Sequence, residues 1–179
     1  MKIYSYTMTN DDGFAPNPTD EICTLAYCMV QMRRTVQAGD YVIGLAGAKY
    51  RKMRGTDYPA YPIIYAMRVT DVIDFREFSS ERRYREHFSN PLHVRDQLIT
   101  NRVLVSNDFV YWGGDGPLLP IQLRTLIKPN GPGHKCNFPA EVVREFVGWF
   151  NSQPKRGLVG TPFEDWFTQH YWHHPSRRQ

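Results

Sequence analysis

A chain of 179 residues with 41% hydrophobic and 14% aromatic content has apolar material for one ordinary core, which excludes general disorder and leaves a second full domain cramped. The formal net charge of +4 and a pI near 9.0 give a mild basic bias that suits phosphate-bearing partners without requiring them. No run is apolar enough to span a bilayer and Met1–Tyr6 has no signal-peptide core, so a cytoplasmic protein is expected.

In chain order, residues 2–8 alternate and predict a first strand, with Tyr4 and Tyr6 as its aromatics. Residues 9–20 hold two prolines, a glycine and several Asn or Asp side chains, which predicts an irregular loop and a tight Asp12-Gly13 turn. A stiff acidic loop directly after the first strand is a frequent place for ligand groups, here Asp11, Asp12, Phe14 and Asn17; a proline-stiffened surface loop is the plain alternative. Leu25, Met29, Met32 and Val36 fall at helical spacing and predict a helix over 27–37. It ends on Arg33 and Arg34, followed by the turn Gly39-Asp40 and a strand over 41–46 built on Tyr41, Val42 and Ile43. That turn aims two guanidinium groups and the mouth of a sheet at one space, which suits an anion; a helix end neutralised by arginine is the plainer reading.

Residues 47–61 interleave Lys49, Arg51, Lys52 and Arg54 with tyrosines. Nucleotides are gripped by such a pattern through phosphate pairing and base stacking, and a solvated loop is its alternative. Residues 63–73 predict one long strand buried on both faces. Ser79 or Ser80 is expected to cap a helix over 81–88, and His93 with Asp96 offers a base and an orienting carboxylate three residues apart. Two short strands, 102–106 and 109–112, are expected to pair as a hairpin through Asn107-Asp108. Gly113–Pro117 breaks the sheet without forming a phosphate loop. Residues 118–126 suit a short helix, and 129–134 a turn that delivers His134 and Lys135. A helix from Ala140 to Phe150 carries an apolar stripe of Val142, Val143, Phe146, Trp149 and Phe150. A short aromatic helix near 163–172 and a frayed basic tail over 171–179 follow.

Cys23, Cys28 and Cys136 are an odd set without a secretory signal, which argues against disulfides. With His134 they make a Cys3His zinc site conceivable, but no matched second ligand pair is present, so neither metal nor cofactor is expected.

Tyr4-x-Tyr6, the run Asp12-Gly13-Phe14-Ala15-Pro16-Asn17-Pro18, Cys23-Thr24-Leu25-Ala26-x-Cys28, Arg33-Arg34 and Gly39-Asp40-Tyr41-Val42-Ile43-Gly44 together resemble the nucleotide modification associated domain 2 family. Val103–Ser106 with Phe109-x-Tyr111, His134-Lys135, and Phe146-Val147-x-Trp149 extend the likeness over most of the chain, with one domain over 1–170. The family pattern has Lys-Pro after the second cysteine, where this chain has Met29-Val30. Members occur in phages and bacteria and are linked to systems that make or handle modified DNA bases. The Arg-x-x-x-x-Gly-Asp-x-Val pattern is also similar to PUA-like barrels, including the EVE and YTH readers of modified bases. The expected fold is therefore α+β, a small curved and mostly antiparallel sheet or a PUA-like barrel with three or four flanking helices.

Three functions compete. In a reader of a nucleotide or of nucleic acid with modified bases, Tyr4, Tyr6, Phe14 or Tyr41 stacks on the base. Asp11, Asp12, Asn17 or Asp40 bonds its edge, Arg33 and Arg34 hold phosphate, and His134 and Lys135 are further ligand-binding candidates. In a nucleotide- or base-modifying enzyme, Asp11 or Asp12 is the acid or base and Cys23 or Cys28 the nucleophile. In the third, a phage protein blocks a host defence factor by protein contact. The reader is preferred, with the acidic loop and the two arginines converging on one cavity.

Overall fold

The structure is a computed structural model that describes residues 1–19, 21–56, 60–87, 100–128 and 132–163. A six-stranded mixed sheet runs in the order β10 (Gly157–Leu158), β8 (Asp108–Tyr111), β5 (Ile63–Arg68), β4 (Tyr41–Ala46), β1 (Ile3–Met8), β9 (His134–Lys135). A four-stranded antiparallel sheet runs β2 (Asn17–Thr19), β3 (Ile22–Leu25), β7 (Arg102–Ser106), β6 (Asp71–Asp74). Among the described residues the α-helices are α1 (Val30–Thr35), α2 (Ala48–Met53), α3 (Phe75–Ser80) and α4 (Ala140–Asn151). Short 3₁₀ helices lie at Arg82–His87, Gly113–Asp115 and Ile121–Leu126. The fold is α+β as expected, and its two sheets stay open rather than closing into a barrel.

Period-two alternation sorts the strands into layers. On the large sheet Tyr4, Tyr6, Met8, Val42, Met67 and Phe109 face inward, where they meet Cys23, Leu25 and Leu104 of the small sheet. Ile3, Tyr41, Ile43, Leu45, Ala66 and Val110 face the opposite way. Helix α4 covers that outer face with Val142, Phe146 and Phe150, spaced four apart so that they share one side. Burying each contributes about 1.5–3 kcal/mol. The small sheet's far face carries a third cluster in which Phe14, Tyr27, Phe75, Phe78 and Tyr84 pack together.

The predicted strand over 63–73 is two strands in two sheets. β5 stays in the large sheet to Arg68, and after Val69-Thr70 the chain enters the small sheet as β6. The expected hairpin of 102–106 with 109–112 is likewise absent: β7 pairs with β3 and β6, whereas β8 pairs with β5 and β10. Both crossings happen side by side. The Ser106 hydroxyl donates to the Arg68 carbonyl at 2.6 Å, closing the corner where strands change layer.

Other elements differ in extent. Asn17–Thr19 pairs with β3 despite Pro18, because β2 is an edge strand and one missing N–H costs no ladder bond there. Ile22–Leu25 is a strand, and α1 begins only at Val30 rather than at residue 27, after Cys28 and Met29 in the left-handed region at φ 56° and 41°. The basic segment after β4 is helical over Ala48–Met53. Ser79 and Ser80 end α3, whose cap is Asp74 accepting from the Arg76 N–H at 2.7 Å. His134 and Lys135 form strand β9, and residues 129–131 of the turn expected before it lie outside the described residues. The His93–Asp96 pair and residues 164–179 lie outside the described residues.

Candidate functional site

β1 and β4 run parallel in register, Ile3 opposite Tyr41 and Met8 opposite Ala46, so their carboxyl ends open on the same side. The crevice beyond such ends is where open sheets commonly take ligands. Beneath it lies a row of side chains that neighbouring strands place abreast: Tyr6 opposite Gly44, Gly44 opposite Tyr65, and Tyr65 opposite Tyr111. Gly44 leaves the gap that lets Tyr65 reach across β4. An added Cβ would lie 2.4 Å from Met8 Sδ and 2.5 Å from Tyr65 Cε1. The Tyr6 and Tyr65 hydroxyls meet at 3.0 Å. Tyr111 donates to Asp11 Oδ1. Burial pushes the pKa of all three tyrosines up, and the neighbouring Asp11 charge adds to the effect at Tyr111. Neutral phenols serve as both donors and acceptors, and a buried carboxylate as an acceptor.

The loop after β1 closes this row from above. Asp11 is 1% exposed. Its N–H donates to the Tyr50 hydroxyl of α2 at 2.6 Å, and its Oδ2 accepts from the Phe163 N–H at 3.0 Å. Asp12 is half-buried and its carboxylate accepts from the Phe14 N–H at 3.0 Å, an Asx turn that shapes the loop. Helix α2, which follows β4, carries Lys49, Arg51 and Lys52 next to Tyr50 in the sequence. Arg51 lies over the Tyr61 ring at 4.2 Å and Lys49 at 5.4 Å from the Tyr50 centroid.

The family model described as nucleotide modification associated domain 2 matches residues 1–91 and 86–170. The chain belongs to this family. No curated protein matches it. No solved structure matches it either.

Within this nucleotide modification associated domain the sequence-derived candidates separate into groups. Tyr6 and Cys23 share the inner core; Cys28 and Asp11 lie within electrostatic reach of Tyr6, and Asp11 and Asp12 within reach of Tyr111. Cys23 is fully buried, and burial pushes its thiol pKa up, a poor setting for a nucleophile. Cys28 is exposed. Phe14 stacks on Tyr27 at 4.5 Å inside the third cluster, and Asn17 is buried, accepting from the Thr19 hydroxyl at 2.6 Å.

Asp40 does not reach the loop. Helix α1 leads back along β1, with Thr35 at Tyr4 and Asp40 at Lys2, so Asp40 sits at the opposite end of β1 from Asp11. Six strand residues separate those ends by roughly 20 Å. There its carboxylate accepts from the Lys2 and Gln37 N–H groups at 2.7 and 3.0 Å. Arg33 is 0% exposed and donates to the carbonyls of Cys28 at 2.8 Å and Arg102 at 2.6 Å, while Arg34 is exposed. The expected convergence of these arginines and Asp40 on the acidic loop is therefore replaced by a turn brace and a buried lock.

Tyr41 faces α4, edge-on to Phe146 and Phe150. His134 pairs with Tyr6 across β9 and its ring lies 5.6 Å from Tyr4; burial and Lys128 lower its pKa. Lys135 donates to the Thr125 carbonyl at 2.6 Å. Among the described residues no group of three or more His, Cys, Asp or Glu suits a metal ion, and no helix is long and apolar enough to cross a membrane. Sequence reasoning missed Tyr65, Tyr111 and Phe163. The glycine inside β4 was the available sign that a neighbouring side chain needed its space.

Proposed function

We propose that the protein binds a nucleotide or a modified nucleobase at the carboxyl ends of β1 and β4, as a reader in a phage or bacterial DNA-modification or anti-defence system. The observation that carries this reading is the hydrogen bond between Asp11 and Tyr50, which joins an acidic, base-recognising loop to a helix bearing Lys49, Arg51 and Lys52. Aromatic and carboxylate groups below hold a base, and cations above hold its phosphate. Membership of the family supports a nucleic-acid-related ligand. Titration calorimetry with deoxynucleotides and single-stranded DNA, modified and unmodified, tests it. The double variant Lys49→Ala, Lys52→Ala is expected to lose about tenfold in affinity for phosphate-bearing ligands and to flatten the salt dependence. Unchanged binding in that variant sinks the assignment.

The exposure of Cys28, within electrostatic reach of Tyr6, favours a second reading, a base- or nucleotide-modifying enzyme with Asp12 as acid or base and this thiol as nucleophile. A mass change in deoxynucleotides that disappears in both Cys28→Ser and Asp12→Asn distinguishes it from binding alone.

A further inference from the structure

Phe163, partly buried against the inner core, makes two contacts outside its own segment. Its ring lies flat against Tyr50, centroids 4.4 Å apart and planes 19° from parallel. Its backbone N–H donates to Asp11 Oδ2 at 3.0 Å. Gly114 borders the ring elsewhere, since a Cβ built on it would stand 3.7 Å from Phe163 Cδ1. A planar ring against a tyrosine, with an N–H on a buried carboxylate, reproduces the two contacts by which proteins hold an extruded or free base: stacking on its face and a hydrogen bond to its edge.

The geometry points to a base slot formed by Tyr50, Gly114 and Asp11 Oδ2, filled in the free protein by the chain's own Phe163 and emptied when Pro162-Phe163 swings out. The ligand class is a nucleobase carrying an N–H donor on its edge, such as the amino or ring N–H of guanine, adenine or cytosine. This deepens the function proposed above and rests on it. The stem of the segment is fixed, because the Val159 and Gly160 N–H groups donate to the Tyr111 carbonyl at 2.9 and 3.1 Å and Gly114 N–H donates to the Thr161 carbonyl at 2.8 Å. Among the described residues, only Pro162 and Phe163 have to move. Displacing it costs Asp11 one donor, which the base edge replaces.

An internal occupant lowers apparent affinity by the fraction of molecules in which the slot is open. Calorimetry of the full chain and of Phe163→Ala with dGMP, dAMP, dCMP and deoxyribose 5-phosphate therefore decides the matter. Phe163→Ala is expected to bind at least one of the three nucleotides about tenfold more tightly, with affinity for the base-free sugar phosphate unchanged. In the unaltered chain, saturating nucleotide is expected to speed hydrogen exchange at the Phe163 amide, a readout that does not depend on the variant folding. Equal or weaker nucleotide binding by Phe163→Ala, or an unchanged amide, overturns the slot and leaves the function standing. Failure of both proteins to bind any nucleotide overturns the two together.

Discussion

Arg33 and Arg34 are adjacent and chemically identical, yet the fold treats them oppositely. Arg33 points inward from α1 and its guanidinium ties the turn at Cys28 to the strand carbonyl of Arg102. Arg102 answers in kind, donating to the carbonyls of Arg33 and Val36 at 2.9 and 2.6 Å. Arg33→Ala leaves buried carbonyls without their donor and opens a cavity, an expected loss of about 3 kcal/mol. Arg34→Ala is expected to stay within about 0.5 kcal/mol. Urea denaturation of the two variants measures the difference, and equal effects contradict the assignment of the lock. Sequence displays two arginines before a glycine turn, which is the same whether they face phosphate or backbone. Residues one apart on a helix point about 100° away from each other, and only the packing of β7 against α1 decides which goes in. The acidic loop was more legible: Asp12-Gly13 with flanking prolines named its own turn, and Asp11 took the buried place that its neighbours made.

At the scale of elements, β4 was readable to the residue because Tyr41, Val42 and Ile43 are strand formers opening an unbroken apolar run that suits a central strand. Helix α4 was readable for the matching reason, its apolar stripe repeating at the helical period. β5 and β6 were not, since a run that leaves one sheet and enters another keeps the same apolar texture through the corner. Gly44 inside β4 shows what a single backbone position contributes. Gly44→Ala sets a methyl into Met8 and the Tyr65 ring, an overpacking cost of about 1–3 kcal/mol. Pushing Tyr65 aside also breaks its contact with Tyr6. A fall in the thermal midpoint together with altered tyrosine fluorescence is expected, and a silent variant contradicts the close-packed row.

The whole molecule interleaves its two halves. The large sheet takes β1, β4 and β5 from before residue 88 and β8, β9 and β10 from after 99. The small sheet takes β2, β3 and β6 from the first half and β7 from the second, and places β7 between β3 and β6. The family match in two stretches, 1–91 and 86–170, therefore does not divide the structure into separable pieces. Fragments 1–87 and 100–179 made apart are expected to lack cooperative unfolding, and to regain it on mixing; a cooperative transition in either fragment alone refutes this. Such interleaving is beyond the reach of local patterns, which report what each segment is and not which segment lies beside it.

The position of β7 also bears on synthesis. While the ribosome is still making residues beyond 87, β3 and β6 have no strand between them and β5 has an unpaired edge, so apolar strand surface stays open until β7 and β8 emerge. The nascent chain during that interval is the species most exposed to wrong pairing, and the one a chaperone would be expected to hold.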